Sequence, residues 1–172
     1  MSDTIFTTDR LSVRSLNLDD AGFICELVND PDWLRNIGDK HVHSIADAER
    51  YLANGPMSLY ASHGVGLWAV EIRETGQTIG MCGLVKRDAL EAFDLGFAYL
   101  PNYRGQGYAL EAAWGVLRYV REEKQLSELA AIVDRENARS VRLLNKLGFE
   151  FFGEFQLAGE SKSLDLYYVV LG

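Results

Sequence analysis

The order of hydrophobic and polar residues near the start of the chain predicts a strand followed by a helix. Residues 10–16 alternate between the two types, which is the period of a half-buried strand. In residues 19–29 the hydrophobic side chains recur at helical spacing. Asn17 is expected to cap this helix, and Asp30-Pro31 is expected to end it.

A second, shorter helix and a group of strands are predicted next. Ser44 and Asp47 form a helix-start pattern, which predicts a helix over residues 45–53 that Asn54-Gly55-Pro56 ends. The middle of the chain then has the composition of strands, with a turn at residues 74–77. The three predicted strands are residues 67–72, 78–85 and 93–100.

The last part of the chain alternates between helical and strand patterns. Hydrophobic residues recur at helical spacing from Leu110 to Val120. Asn137 is expected to cap a further helix that runs through Leu147, with Gly148 in the left-handed position at its end. The remaining predicted strands are residues 129–133, 149–155 and 164–170. The element order β-α-α-β-β-β-α-β-α-β-β predicts an α/β protein with a mixed sheet.

Composition indicates one globular unit. The chain has 172 residues, of which 48% are hydrophobic and 24% charged, enough apolar material for an ordinary core. Only three prolines occur, and we find neither a linker-like stretch nor an internal repeat. We therefore expect a single domain over residues 1–172.

Charge and cysteine content narrow the class of partner and the compartment. The formal net charge of −8 opposes binding to nucleic acid and to anionic membranes. No apolar run reaches the length of a membrane span, and the first residues do not resemble a signal peptide. Cys25 and Cys82 lie far apart in apolar surroundings, as reduced core thiols do. We expect a cytoplasmic protein without nucleic-acid or membrane partners.

A glycine-containing loop at residues 101–109 separates a predicted strand from a long predicted helix. The first backbone N–H groups of a helix have no partner within the helix, and glycines allow a phosphate to approach them. Arg104 either adds a charged contact or stiffens the loop. A tight turn that binds nothing explains the same glycines. The loop lacks the Gly-Lys-Ser/Thr ending of a P-loop.

The same loop resembles the R/Q-x-x-G-x-G/A motif of the GCN5-related N-acetyltransferases (GNATs). In that family the motif follows the fourth strand and binds the coenzyme A pyrophosphate through backbone N–H groups. The positions that the resemblance assigns to coenzyme binding are Arg104, Gly105, Gln106, Gly107, Tyr108 and Ala109.

Further motifs are similar to the GNAT branch that acetylates ribosomal protein N-termini, the RimJ/RimL-type branch. They are Thr8–Arg14 for T-x-R-L-x-L-R, Asn29-Asp30-Pro31 for the end of the first helix, Asp94–Phe97 for E-I-G-Y, Asn137–Ser140 for N-x-x-S and Lys146–Phe149 for K-x-G-F. The resemblance runs from about residue 7 to the C-terminus, in the same element order.

The resemblance implies a mostly antiparallel mixed sheet, flanked by helices, whose splayed centre holds acyl-CoA. Acetyl-CoA is then the co-substrate. Backbone groups of the fourth strand, here Phe97, Ala98 and Tyr99, pair with pantetheine in the family. Asn137 gains a contact to the coenzyme arm in addition to its capping role, which alone explains an asparagine there.

Acetyl transfer from a thioester to an amine requires a neutral amine, a donor for the carbonyl oxygen and a proton for the thiolate. Direct attack in a ternary complex needs no protein nucleophile. Many relatives place a tyrosine acid four residues after the position of Ser140, where this chain has Leu144. We therefore assign the proton donor to Ser140, acting directly or through water, although a serine in a first helical turn is also structurally ordinary.

Asp94 is the candidate general base, because it stands where branch members often carry glutamate. The structural alternative is a solvated acid at a strand edge. Glu154 and Glu160 are further candidates, since a C-terminal acid serves in some relatives. A water chain without a dedicated base is also compatible with the sequence.

No metal site is expected. His41-x-His43 offers two ligands, but no third ligand lies at metal-site spacing, so both are interpreted as loop histidines. Trp33, Trp68 and Trp114 are expected to pack in the core. Alternatively, Trp33 and residues 35–43 floor the acceptor pocket, since early helices cover the substrate side in this fold.

The predicted function is transfer of an acetyl group from acetyl-CoA to a primary amine. The acceptor stays open among protein N-termini, polyamines, aminoglycoside-like antibiotics and amino acids, and so does the oligomeric state. Two other functions compete with this prediction. One is a degenerate relative that senses acyl-CoA without turnover, and the other is a nucleotide-binding regulatory domain.

Overall fold

The computed structural model describes residues 3–157 and 159–172. The strands are β1 Thr4–Thr7, β2 Leu11–Ser15, β3 Leu67–Ile72, β4 Thr78–Val85, β5 Asp94–Tyr99, β6 Glu128–Val133, β7 Glu150–Gln156 and β8 Ser163–Val170. The helices are α1 Ala21–Val28, α2 Pro31–Asn36, α3 Ile45–Asn54, α4 Pro56–His63, α5 Tyr108–Glu122 and α6 Ala138–Lys146. The strands form one eight-stranded sheet in the order β1-β2-β3-β4-β5-β6-β8-β7. All neighbours are antiparallel except β5 and β6, so the predicted mixed, mostly antiparallel sheet is confirmed.

Side-chain caps set the starts of the helices that the sequence predicted. Asn17 accepts the Asp19 N–H at 2.8 Å, and the Asp20 carboxylate accepts the Asn17 N–H at 3.0 Å. This capping box begins a single 3-10 turn that leads into α1. Ser44 Oγ accepts the Asp47 N–H at 3.0 Å at the start of α3. These predicted caps are confirmed.

Two helices and one strand were not predicted. Asp30-Pro31 follows α1 as expected, but Asp30 also accepts the Asp32 N–H at 3.1 Å and caps α2. Pro56 likewise lies in the first turn of α4. Proline is tolerated there because its missing N–H has no helical partner at that position. From the sequence, both prolines were interpreted only as helix ends, and the short edge strand β1 was not predicted.

Two of the three tryptophans lie in the core, and one does not. Trp33 and Trp68 are buried, as predicted, whereas Trp114 is 50% exposed and its prediction was wrong. The buried residues of α5 are instead Ala112, Ala113, Gly115, Val116, Leu117 and Val120. A Cβ at Gly115 would lie 2.3 Å from the Phe6 ring. The helix is therefore correctly predicted, but Gly115 rather than Trp114 lies against Phe6, and the indole lies on the exposed face.

The sheet splays between β5 and β6. Strand β5 pairs with β4 along its whole length, from Asp94 to Tyr99. With β6 it shares a single register pair, Asp94 with Ala130, and the Ala130 N–H donates to the Phe93 carbonyl at 2.9 Å. Beyond this pair no further register pairs join the two strands in the described residues, which agrees with the predicted splayed centre.

The cysteines are unlinked, as expected. Cys25 and Cys82 are both free, and burial raises the pKa of the Cys82 thiol to about 12. No helix within residues 3–157 or 159–172 is long and apolar enough to cross a membrane.

Candidate active site

Two cavities flank the free part of β5. The loop cavity, about 360 Å³, is bounded by α2, the glycine loop 104–109, the start of α5, and α6. The Asp94 cavity, about 410 Å³, is bounded by α3, α4, β4 and the first half of β5. Four residues line both cavities: Trp33, Ile37, Phe97 and Ala98. The two cavities therefore meet at the middle of β5, where the sheet has opened.

The glycine loop presents free backbone donors. Gly105 and Gly107 have φ values of +73° and +85°, which L side chains adopt only with strain. The N–H groups of residues 105–110 donate no hydrogen bond to any described residue. Because residues 108–110 open helix α5, their unpartnered donors lie at the positive end of the helix dipole. This geometry suits a pyrophosphate.

Arg104 stabilises the loop rather than extending freely into the cavity. Its Nε and Nη2 donate to the Tyr99 carbonyl at 3.0 and 2.7 Å. Nη2 also donates to Asp30 at 2.8 Å, and Nη1 pairs with Asp32. The guanidinium thus joins the end of β5 to the start of α2. Of the two roles expected for Arg104, these contacts favour stiffening, and a direct coenzyme contact stays a prediction.

A second arginine, whose role the sequence analysis missed, holds the loop from the outside. Arg10 Nη1 donates to the Gln106 carbonyl at 3.0 Å, and its Nε pairs with Glu111 at 2.7 Å. Its guanidinium carbon lies 4.3 Å from the centroid of the Tyr108 ring. The T-x-R motif includes Arg10. Its contacts with Gln106 and Glu111 could not be predicted from the sequence, because about a hundred residues separate the partners along the chain.

Helix α6 supplies the other wall of the loop cavity. Asn137 caps it, accepting the Ser140 N–H at 3.4 Å, and both residues line the cavity. Ser140 Oγ makes no hydrogen bond to a described residue. Leu144, at the position of the usual tyrosine, is buried in the core.

Three cations on α6 also line the loop cavity and were not predicted: Arg139, Arg142 and Lys146. Their spacing of three and four residues along the chain could have identified them as one helical face. The face suits the phosphates of a coenzyme.

Asp94 is a buried carboxylate, not the solvated strand-edge acid of the alternative interpretation. It is 3% exposed and lines the Asp94 cavity. Arg87 Nε donates to its Oδ2 at 3.1 Å, whereas the buried Oδ1 has no partner among the described residues. Burial raises the pKa of Asp94, and the Arg87 guanidinium opposes this shift. A carboxylate with a raised pKa and one free oxygen is suited to accept a proton.

The alternative bases lie elsewhere. Glu154 is exposed and pairs with Arg135 at 3.0 Å, and Glu160 lies in an exposed loop. Neither lines the loop cavity or the Asp94 cavity. By contrast Trp33, Ile37 and Lys40 do line the Asp94 cavity. That this segment floors an acceptor pocket stays a prediction.

Asp39 provides the third ligand that the sequence analysis did not find near the two histidines. The ligand atoms of Asp39, His41 and His43 lie within 4.8 Å of one another, and all three residues are exposed. None of them lines the loop cavity or the Asp94 cavity. The expectation of no metal stays a prediction.

The comparison with protein families identifies the fold and its chemistry. The family model described as "Acetyltransferase (GNAT) domain" matches residues 10–150, which include the splayed strand, the glycine loop and α6. The chain belongs to the GNAT family. It is an acetyltransferase, and its family uses acetyl-CoA as co-substrate. The resemblance found in the sequence is thereby confirmed at the level of the family.

Individual relatives cover most of the chain. It is 30% identical to Bacillus subtilis YkkB over 154 residues, which is 86% of each protein. It is 27% identical to the N-acetyltransferase p20 of Bacillus licheniformis over 149 residues, 86% of this chain and 83% of p20. The solved structure of RimL, the ribosomal L7/L12 alpha-N-protein acetyltransferase, superposes with a TM-score of 0.81 at 13% identity, covering 99% of this chain and 95% of RimL. At that identity the likeness concerns the fold.

Proposed function

We propose that this GNAT protein transfers an acetyl group from acetyl-CoA to a primary amine by direct attack in a ternary complex. The observation that carries the proposal is the meeting of two cavities at Phe97 and Ala98. Free N–H groups and cations lie on one side, and a buried carboxylate lies on the other. Coenzyme in the loop cavity and amine in the Asp94 cavity would bring thioester and nitrogen together across the opened sheet.

On the coenzyme side, backbone N–H groups of residues 105–110 bind the pyrophosphate, and the α6 cations bind its remaining phosphate. The pantetheine arm then runs along β5, beside Phe97 and Ala98. The Tyr99 carbonyl already accepts from Arg104, so its pairing capacity is partly used. Asn137 caps α6 and faces the same arm.

In the reaction, Asp94 accepts a proton from the amine, directly or through water. The nitrogen attacks the thioester carbonyl, the C–S bond breaks, and the amide forms. Ser140 passes a proton to the departing thiolate, directly or through water, and regains one from water, which takes up the proton that the attacking nitrogen loses as the amide forms. These roles fit the separation of the two residues, because Ser140 lines only the loop cavity and Asp94 only the Asp94 cavity.

The cysteines support transfer without an acetyl-enzyme. Neither Cys25 nor Cys82 lines either cavity. The Cys25 thiol donates to the Ser44 carbonyl at 3.3 Å, and the raised pKa of Cys82 disfavours its thiolate. Incubation with acetyl-CoA alone should therefore leave the mass of the intact protein unchanged.

The acceptor class and the branch are part of the proposal. The motifs of the RimJ/RimL-type branch and the fold likeness to RimL support a protein N-terminus or a small amine. A cytoplasmic site of action is supported by the two free thiols, and the expectation of no nucleic-acid or membrane partner rests on the net charge of −8.

The test is an acceptor screen that follows thiol release from acetyl-CoA and identifies each product by mass spectrometry. We expect release that depends on the acceptor and equals the amount of acetylated amine. An acetylated cysteine in the absence of acceptor would contradict direct transfer.

The same screen separates the enzyme from an acyl-CoA sensor, a function that the buried Leu144 favours. Calorimetry is run on the same preparation. Tight binding of acetyl-CoA, with no release of its thiol in the presence of any amine tested, would indicate the sensor. Binding of ADP without any response to CoA would indicate the nucleotide-binding regulatory domain.

A further inference from the structure

The Asp94 cavity has a positively charged wall in an acidic protein. Its lining includes three cationic side chains, Lys40, Lys86 and Arg87, and one acidic side chain, Asp94. The chain as a whole carries a net charge of −8. A local excess of positive charge in such a protein attracts anions to that cavity.

Only part of this charge is neutralised by the protein. Arg87 pairs through Nε with Asp94 at 3.1 Å, and its two terminal nitrogens donate to no described residue. Lys86 Nζ donates to the Arg87 carbonyl at 3.0 Å and to the Leu90 carbonyl, which hold the ammonium in place without cancelling its charge. Lys40 is exposed and has no ion-pair partner among the described residues.

We infer that the acceptor is an amine that also carries a carboxylate, and that polyamines are poor acceptors; this inference rests on the proposed function. The amine would lie near Asp94, and the carboxylate near Lys40, Lys86 and the free terminal nitrogens of Arg87. Guanidinium and ammonium groups are the usual partners of carboxylates. A second ammonium on the acceptor would meet three like charges instead.

The same cations favour the chemistry. They stabilise the neutral form of the acceptor amine relative to its ammonium form, so they lower the pKa of the acceptor at the site. Only the neutral amine attacks the thioester. The negative charge of Asp94 opposes this lowering of the amine pKa only weakly, because Arg87 already pairs with Asp94.

The apolar part of the Asp94 cavity wall suits an acceptor that also carries an apolar group, placed between its amine and its carboxylate or beside them. Leu59, Leu67, Met81 and Leu84 line the cavity. An apolar amino acid combines these features. A peptide that begins with an apolar residue followed by an acidic one combines them too. The experiment distinguishes the free amino acid from the peptide.

The experiment compares kcat/KM for matched acceptors with saturating acetyl-CoA. Leucine is set against leucinamide, which has the same side chain without the carboxylate, and against a diamine of similar length. A second arm uses tripeptide amides that begin with leucine and carry glutamate or glutamine next. We expect the carboxylate to raise kcat/KM about tenfold or more in at least one arm, the range of a charge-assisted hydrogen bond. The inference would be overturned if neither leucine is preferred over leucinamide nor the glutamate peptide over the glutamine peptide, or if the diamine is the best acceptor.

Lys40→Glu tests the wall itself, with Lys124→Glu as the matched control. Both lysines are exposed, but Lys124 lies near the Tyr119 ring and lines neither cavity. We expect Lys40→Glu to reduce the preference for the carboxylate several-fold and Lys124→Glu to leave it unchanged. An equal effect of the two variants would overturn the inference.

If no amine is acetylated, the proposed function fails while the inference is still tested. Calorimetry on the CoA-bound protein then compares leucine with leucinamide, and the glutamate peptide with the glutamine peptide. Tighter binding of the carboxylate form supports the inference without turnover. Equal or weaker binding overturns it.

Discussion

The loop cavity and the Asp94 cavity are built from different parts of the chain. The loop cavity depends on backbone: two glycines with positive φ, the N–H groups that open α5, and a capped helix α6. The Asp94 cavity depends on side chains from α2 to β5, including Trp33, Lys40 and Asp94. Backbone donors bind a phosphate whatever the neighbouring side chains are, whereas side chains set the shape and charge of an acceptor pocket. Within one fold, the coenzyme site can therefore persist while the acceptor changes.

The largest expected effect lies in the Asp94 cavity. Asp94→Asn should lower kcat/KM by about a hundred- to ten-thousand-fold, the range of a general base. The wild-type rate should rise with pH through the pKa of Asp94, which burial places above the ordinary value of about 3.9. The variant should lack this limb. Steady-state kinetics over a pH series measures both.

Stability provides the control for this variant. Burial disfavours the ionised form of Asp94 in the folded protein, so its charge lowers the free energy of unfolding at neutral pH, and this cost disappears below the unfolded pKa. Asp94→Asn should therefore not lower the Tm at pH 7. Asp88→Asn, in the exposed loop after β4, should change neither property. An unaltered pH profile in Asp94→Asn would remove Asp94 as the base.

The next largest effect is expected at Ser140, the proposed proton donor in the loop cavity. Ser140→Ala should lower kcat by about a hundredfold if the hydroxyl protonates the thiolate directly, and by less through water. Acetyl-CoA affinity should stay unchanged because the contribution arises in the transition state. The Tm should also hold, since Ser140 Oγ makes no hydrogen bond to a described residue.

Ser44→Ala is the comparison for a purely structural serine. It removes the cap of α3 and should lower stability by about 1 kcal/mol with kcat unchanged. If Ser140→Ala behaves in the same way, Ser140 is structural, and Tyr167, Tyr168 or water becomes the donor.

A smaller effect separates backbone from side chain in the loop cavity. Gly107→Val forces a branched side chain into a φ of +85° and brings a Cβ to 3.2 Å from Arg10 Nη2. The loop must shift, so we expect the Kd for acetyl-CoA to rise about ten- to a hundredfold through lost phosphate contacts. Calorimetry measures the change.

Gly76→Val supplies the matched strain away from both cavities. Gly76 has a φ of +74° in the turn between β3 and β4. Both variants should lose stability, but only Gly107→Val should lose affinity. Equal affinities in the two variants would remove the loop from the coenzyme site.

This difference between the cavities also explains what the sequence could predict. The glycine loop, the Asn137 cap and strands β3 and β4 are local patterns, and they were located from consecutive residues. The contacts of Arg10 with Gln106, and of Arg87 with Asp94, depend on how separate segments pack. Trp114 shows the limit of prediction within a single helix. Periodicity predicted the helix, but it did not show that Gly115 lies against Phe6 while Trp114 is exposed.

The smallest expected effect concerns the exposed cluster of Asp39, His41 and His43. Two imidazoles and a carboxylate within 4.8 Å can bind a transition metal. Yet none of them lines either cavity, and the proposed reaction already has a base in Asp94 and an acid in Ser140. We therefore expect EDTA treatment to leave kcat unchanged, and the His41→Gln/His43→Gln double variant to match wild type before and after treatment. Loss of turnover on chelation, restored by Zn²⁺ in wild type but not in the double variant, would make this cluster part of the active protein. Because Lys40 lines the Asp94 cavity and lies between Asp39 and His41, such a result would also mean that a bound metal holds part of the acceptor pocket in place.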